Sequence, residues 1–289
     1  MGIRTHRTKA IAAAASAALL VATAAVAAAG PADAATTHTV KVRMSASAIK
    51  FSGGGATTAN GMTMLHAGQY HFHVVSAAGA HAVQFLRLRN GYTAQQAGAD
   101  IPKAFGGNVP AVQRVDKGIV FRGGAEARPS HPGDMVINLK AAQYIAFDQD
   151  GNAIAQLMVT GTAPKPAHVA HSGTYTAFTY GWGVSKHLPA AGTVKVVNQA
   201  DQPHFLVIQR VKSSTTNAIV RKSLASSSQA QPKWLLKASA SSGVISPGTN
   251  QFVSYDLPAG KYFIACFWPD YFTGMPHFLM GMWKLVTIG

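Results

Sequence analysis

A single cysteine, Cys266, is the only thiol in the 289 residues of this chain. No internal disulfide can form, and a lone thiol in an exported protein needs another reason, metal ligation among them. Acids are scarce as well: 10 Asp and Glu stand against 25 Lys and Arg. That shortage disfavours a hydrolase built on paired carboxylates, and no Ser-His-Asp set is legible. The glycines at Gly53-Gly54-Gly55 and Gly106-Gly107 open no helix that would cradle a phosphate. The basic residues are scattered and form no basic helix, which argues against nucleic acid as a partner. The net charge of +15 is expected to favour solubility and a loose association with anionic cell wall polymer or a membrane surface, or docking to an acidic redox partner.

Long hydrophobic runs are also missing, except at the start. Arg4, Arg7 and Lys9 form a short basic region, an alanine-rich apolar run reaches about Gly30, and Ala32-Asp33-Ala34 makes a small-x-small cleavage signal. Residues 1–34 read as a secretory signal peptide cleaved near Ala34, with a retained anchor as the alternative. The protein is expected to be secreted, extracellular or at the cell surface. About 255 residues remain, enough for one large or two small all-β domains.

The remaining chain repeats itself. Leu65-His-Ala-Gly68-Gln-Tyr-His-Phe-His-Val-Val aligns with Leu188-Pro-Ala-Ala-Gly192-Thr-Val-Lys-Val-Val. His81 follows the first as His204 follows the second, Pro132-Gly133 matches Pro247-Gly248, and Gln143-Tyr144 matches Lys261-Tyr262. Conserved order at so long a period means domain duplication. The Pro/Ala/Gly-rich residues 162–173 read as a linker between domains at 35–161 and 174–289. Short β-branched and aromatic runs bounded by Gly, Pro or Asn are strands. Helix signals are confined to the region near Thr93 and to Thr216–Ala225. The fold class is all-β: two tandem Greek-key β-sandwiches, each with a short helical excursion.

The most telling segment is Gly260-Lys-Tyr262-Phe-Ile-Ala-Cys266 through Met275-Pro-His277-Phe-Leu-Met280-Gly281-Met282. It places a thiol, an imidazole and a thioether on one strand-loop-strand hairpin. Thiolate, two imidazoles and a weak axial thioether form the ligand set of blue-copper electron-transfer sites. His204, at the start of an apolar strand, offers the second imidazole. Gly281 permits the turn that aims Met282 back at such a site.

The pattern resembles the cupredoxin family over most of the second half. Ala191-Gly192-Thr-Val-Lys-Val-Val-Asn198 followed by His204 resembles the family's leading piece. Gly260, Tyr262, Cys266, His277 and Gly281-Met282 resemble its closing piece. The resemblance implies one type 1 copper held by His204, Cys266, His277 and Met282, with Met280 as the alternative axial ligand. It also implies that Asn198 braces the ligand loops through its side chain. The loop from Cys266 to His277 is longer than in small plastocyanins. It is similar to the "CFxPDxxTGxPHxxxGM" version of secreted cupredoxin-like proteins.

In the first half His81 matches His204, but Phe147 or Asp148 stands at the cysteine position, so residues 35–161 read as a degenerate cupredoxin-like domain without copper ligands. His71-x-His73 places two imidazoles on one strand face, and His38 and His66 are candidates to join them. One such pair and no His-Cys-His disfavours a multicopper oxidase. A nitrite-reductase-like activity would need a further copper between subunits. The reading is an electron carrier or copper carrier rather than an enzyme, with a redox partner protein. The rival is a metal-free surface-binding or structural protein. The aromatic loop around His277 serves either as a docking patch or as packing against the first domain.

Overall fold

The computed structural model describes residues 37–226 and 230–289. The signal-peptide reading of residues 1–34 lies outside them. Among the described residues no helix is long and apolar enough to cross a membrane.

The first half runs β1 (Thr37–Ser45), β2 (Ala48–Ser52), β3 (Thr57–Ala59), β4 (Met62–His66), β5 (Gly68–Ser76), β6 (His81–Leu88), α1 (Ala94–Phe105), α2 (Val109–Gly118), β7 (Ile119–Ala127), β8 (Gly133–Leu139), β9 (Ala142–Asp148) and β10 (Ile154–Thr160). The second runs β11 (Gly173–Phe178), β12 (Gly181–Val184), β13 (Ala191–Asn198), β14 (Val207–Val211), α3 (Asn217–Leu224), β15 (Leu235–Ser241), β16 (Asn250–Asp256), β17 (Gly260–Ala265) and β18 (Trp283–Ile288). The chain is all-β in class, as read from the sequence, and its strands stack as sandwiches.

Alternation makes the strands. In β8 Met135, Ile137 and Leu139 are buried while the residues between them are half-buried, and β1 buries Val40, Val42 and Met44 in the same way. In these two strands one face therefore fills the core and the other lies nearer to water.

The halves are joined more closely than a linker implies. One eight-stranded sheet has the order β12-β11-β13-β16-β8-β5-β1-β2 and runs through both. Its seam is the antiparallel pair of β16 and β8, with Phe252 opposite Val136 and Ser254 opposite Asp134. A six-stranded sheet, β3-β4-β10-β9-β6-β7, covers it on the first side, and a four-stranded sheet, β15-β14-β17-β18, on the second. One buried cluster contains Phe72 and Phe85 of the first half together with Tyr175, Cys266 and Trp268 of the second.

The helices differ from the sequence reading. Near Thr93 stand two consecutive helices, of 12 and 10 residues, rather than one short excursion. A Thr93/Gln96 capping box starts α1, and Asn108 caps α2, which carries Pro at its first turn. Gly106 and Gly107 are the link between them. The α3 helix begins beside Thr216, its N-cap, as the sequence indicates.

Two buried glutamines pin the segment that follows β15. Gln84 donates to the carbonyls of Phe85, Gly123 and Val244 at 2.9–3.1 Å and accepts from the N–H of Val244 at 2.7 Å. Gln251 accepts from the N–H of Gly124 at 2.9 Å and donates to the Gly243 carbonyl at 2.7 Å. The backbones approach so closely that a Cβ on Gly243 would run into Gly124. Removing the amide strands several buried backbone groups at once. Gln84→Leu is expected to cost roughly 3 kcal/mol in denaturant unfolding. A loss below about 1 kcal/mol would mean that the amide does not hold the halves together.

Candidate metal centre

His204 sits between β13 and β14, where its backbone exchanges hydrogen bonds with Ile245 at 3.0 and 2.8 Å. Asn198, the last residue of β13, donates its side chain to the carbonyls of Gln202 and Ile245 at 2.8 and 2.9 Å. Its carbonyl oxygen accepts from the N–H of Ala200 at 2.9 Å. One amide thus ties the strand end, the His204 loop and the 242–246 segment together.

Cys266 follows β17. The loop after it is a folded hairpin. His277 N–H bonds the Trp268 carbonyl at 2.9 Å, Asp270 N–H the Met275 carbonyl at 2.8 Å, and Phe278 N–H the Cys266 carbonyl at 2.8 Å. His277 opens a 3₁₀ turn, His277–Met280, that Gly281 closes at φ 104°, a left-handed value that suits glycine. Cys266 N–H then bonds the Met282 carbonyl at 3.2 Å.

The three donors meet. His204 Nδ1 lies 3.4 Å from Cys266 Sγ, Cys266 Sγ 3.8 Å from His277 Nδ1, and the two Nδ1 atoms 3.1 Å apart. A triangle of those sides has its centre about 2.0 Å from each corner, the length of a metal–nitrogen bond and about 0.3 Å short of a metal–sulfur bond. All three residues are buried, and the set can hold a metal ion. Met282 is also fully buried in the cluster that holds Cys266. Met280 is half-buried, and its Sδ accepts from Thr273 Oγ1 at 3.8 Å.

Burial sets the protonation. It pushes His204 down to about 2, helped by the neighbouring His277, and His277 down to about 4 against the pull of Asp270 and Asp201. It pushes the Cys266 thiol up to about 12, opposed by the backbone N–H groups of Phe205 and Trp268. At neutral pH the metal-free centre holds two neutral imidazoles and a thiol. A metal ion would supply the positive charge that releases the thiol proton.

The loop's aromatic residues divide between packed and exposed ones. Trp268 is buried between Phe105 and Phe121 of the first half, at ring separations of 5.3 and 5.2 Å. Gln113 donates to the Tyr271 carbonyl at 3.3 Å, and Lys117 lies over the Tyr271 ring. Phe272 and Met275 point outward, 70% and 45% exposed. His277 itself has no exposed edge. Tyr180, held at φ 58° in the turn between β11 and β12, covers its ring at 5.6 Å. Gln202, Asp270 and Tyr180, which surround His277, were missed in the sequence. Their only signals were the Pro-Asp-x-x-Thr turn and the position of Gln202 two residues before His204.

The first-half positions that match the site in sequence carry other chemistry. Extending the register of β14 and β17 by one pair beyond Val207 and Ala265 sets Leu206, two residues after His204, opposite Cys266, and Val83, two residues after His81, is opposite Asp148. Asp148, not Phe147, therefore stands where the cysteine would. His81 Nδ1 is 2.6 Å from its carboxylate. His71 and His73 both donate to one oxygen of Asp134, at 2.7 and 2.9 Å. His38 lies against Tyr70.

No protein-family model matches the chain, and no curated protein does. Among solved structures it is similar to reduced auracyanin from the photosynthetic bacterium Roseiflexus castenholzii, at 18% identity over 40% of this chain and 94% of that one, with a TM-score of 0.26. It is similar to auracyanin A, a "blue" copper protein from Chloroflexus aurantiacus, at 14% identity over 43% and 100% of the two chains, with a TM-score of 0.28. A copper nitrite reductase from Nitrosomonas europaea covers 88% of this chain and 94% of its own, at 12% identity and a TM-score of 0.22. At such values the case for the site rests on its own geometry.

Proposed function

We propose that the second half of this chain is a cupredoxin-like unit that binds one copper ion through His204, Cys266 and His277, with Met282 as a weak axial thioether, and passes single electrons. The observation that carries the reading is the convergence of two Nδ1 atoms and one Sγ within 3.1–3.8 Å of one another. Two imidazoles and a thiolate in a trigonal set, with a long thioether, are the donors that select copper for electron transfer. When bound, copper would supply the one-electron couple.

The chain's own residues supply the rest. Asn198 and Ile245 fix the His204 backbone, and the 268–277 ladder fixes His277. Phe205 and Trp268 offer N–H groups to the sulfur. Donors held this firmly favour two oxidation states of similar geometry, and full burial slows release. Both support electron transfer over carriage. A redox partner would approach the face where Phe272 and Tyr180 lie, and the basic surface favours an acidic one. Export to the cell exterior belongs to the same proposal.

The test is titration of metal-free protein with Cu(II), read by visible absorption and electron paramagnetic resonance. One equivalent is expected to give an intense thiolate-to-copper band. Colourless uptake of Cu(I) alone would overturn electron transfer in favour of carriage. Uptake of neither ion would overturn the copper reading and leave a metal-free binding protein.

A further inference from the structure

His277 reaches the donor triangle through Nδ1, so its other nitrogen decides whether the lone pair is there. A neutral imidazole offers Nδ1 as a ligand only when Nε2 carries the hydrogen. What faces Nε2 is the Gln202 side chain, with Oε1 at 3.2 Å.

The orientation of that amide follows from its neighbours. Asp270 is buried, and its Oδ1 accepts from the N–H groups of Phe272 and Thr273 at 3.1 and 2.8 Å and from Thr273 Oγ1 at 2.8 Å. Its Oδ2 accepts from the Tyr180 hydroxyl at 2.7 Å and from Gln202 Nε2 at 3.0 Å. Gln202 Oε1 accepts from the Tyr271 N–H at 2.7 Å. A flipped amide would set its carbonyl against the Asp270 carboxylate and its NH₂ against the Tyr271 N–H. Both contacts would be repulsive. In the only consistent arrangement Oε1 faces His277, and Nε2 must donate to it.

We infer that Gln202 is a positioning residue that locks His277 as the Nε2–H tautomer and so aims the Nδ1 lone pair at the metal position. Asp270 holds Gln202, and half-buried Tyr180 closes the chain toward the surface. The consequence for metal affinity rests on the copper reading; the tautomer does not. A corollary concerns His204. Its Nδ1 is 3.1 Å from that of His277, and two lone pairs would repel at this distance. In the metal-free protein His204 therefore carries its hydrogen on Nδ1, and its Nε2, which has no hydrogen-bond partner, is the bare nitrogen. His277 is set for a metal in advance, while His204 must move its proton to accept one.

The experiment is ring ¹⁵N chemical-shift measurement by long-range ¹H–¹⁵N correlation on metal-free, labelled protein, with His277 assigned by a His277→Gln variant. Wild type is expected to show His277 protonated at Nε2 and His204 at Nδ1. Gln202→Met keeps the volume and removes the acceptor, and should shift His277 toward a tautomer mixture. Gln202→Glu, as a neutral acid, can still donate to Asp270 and accept from Nε2, and should restore the lock. Loaded with copper, the Met variant should bind tenfold or more weakly, the Glu variant much less so. Nδ1–H on His277 in wild type overturns the inference whether or not the variants fold. So does a folded Met variant with unchanged tautomer and copper affinity. If wild type shows Nε2–H yet takes up no copper, the lock stands and the copper reading falls.

Discussion

Copper affinity should rise about tenfold for each pH unit between about pH 5 and 9, and Cys266→Ser should remove both the visible band and most of that slope. The thiol in the metal-free protein is pushed up to about 12 by burial. It is therefore protonated across the whole window, and each metal bound must displace one proton. Raising the pH makes that displacement easier, so affinity increases. The imidazoles add nothing there, because burial has already driven His204 to about 2 and His277 to about 4. Below about pH 4 protonated His277 also competes, and the slope steepens. Competition titrations against a chelator at several pH values check this, with calorimetry in buffers of different ionisation enthalpy to count the proton. A serine hydroxyl does not ionise in this range and is a poor copper ligand. A flat profile in wild type, or a retained band in Cys266→Ser, would show that the sulfur is not a ligand.

How much of this was legible in the sequence depends on the kind of interaction. The grouping of His204, Cys266 and His277 could be anticipated because strand alternation and the order of those residues, which resembles a known ligand pattern, are local facts. The match of His81 to His204 was a local fact too, and in the structure Asp148 lies opposite Val83, two residues after His81. The seam was not. Nothing in Gly133–Leu139 or Asn250–Asp256 says which strand lies alongside, since backbone edges carry no label. Gln84 and Gln251 are fully buried, although glutamine usually lies at the surface, because partners far along the chain satisfy their amides. The second helix of the first half was hidden behind Gly106-Gly107, although Asn108 and Pro110 mark its start. The Gln202–Asp270–Tyr180 chain is a product of tertiary packing, as three separate loops meet around His277.

Trp268→Ala should cost about 3–5 kcal/mol of stability and weaken copper binding without touching a ligand. Trp268 is fully buried, with Phe105 and Phe121 of the first half edge-on to it at 5.3 and 5.2 Å. Its removal leaves a cavity where α1 and β7 meet the ligand loop. The backbone N–H of residue 268 survives the change and still faces Cys266 Sγ, at 3.4 Å in the wild type. Any loss of affinity therefore comes from loosened positioning, not from a lost bond to sulfur. A double-mutant cycle with Phe121→Ala should give a coupling of about 0.5–1.5 kcal/mol, as for other edge-on aromatic pairs. Asp116 supplies an independent reading of the same packing. Burial beside the Trp268 indole pushes its carboxyl up to about 7, and Asp270 pushes it further up. A carboxyl raised by folding favours the protonated native state, so its contribution fades as pH rises from about 4 to 7. Asp116→Asn should flatten that fall and stabilise the protein at neutral pH. Trp268→Ala, by admitting water, should lower the carboxyl toward its ordinary range and flatten it too. Unfolding free energies of the three proteins from pH 4 to 8 decide the matter. If Trp268→Ala costs under 1 kcal/mol and leaves copper affinity intact, the first half is not what holds the ligand loop in place.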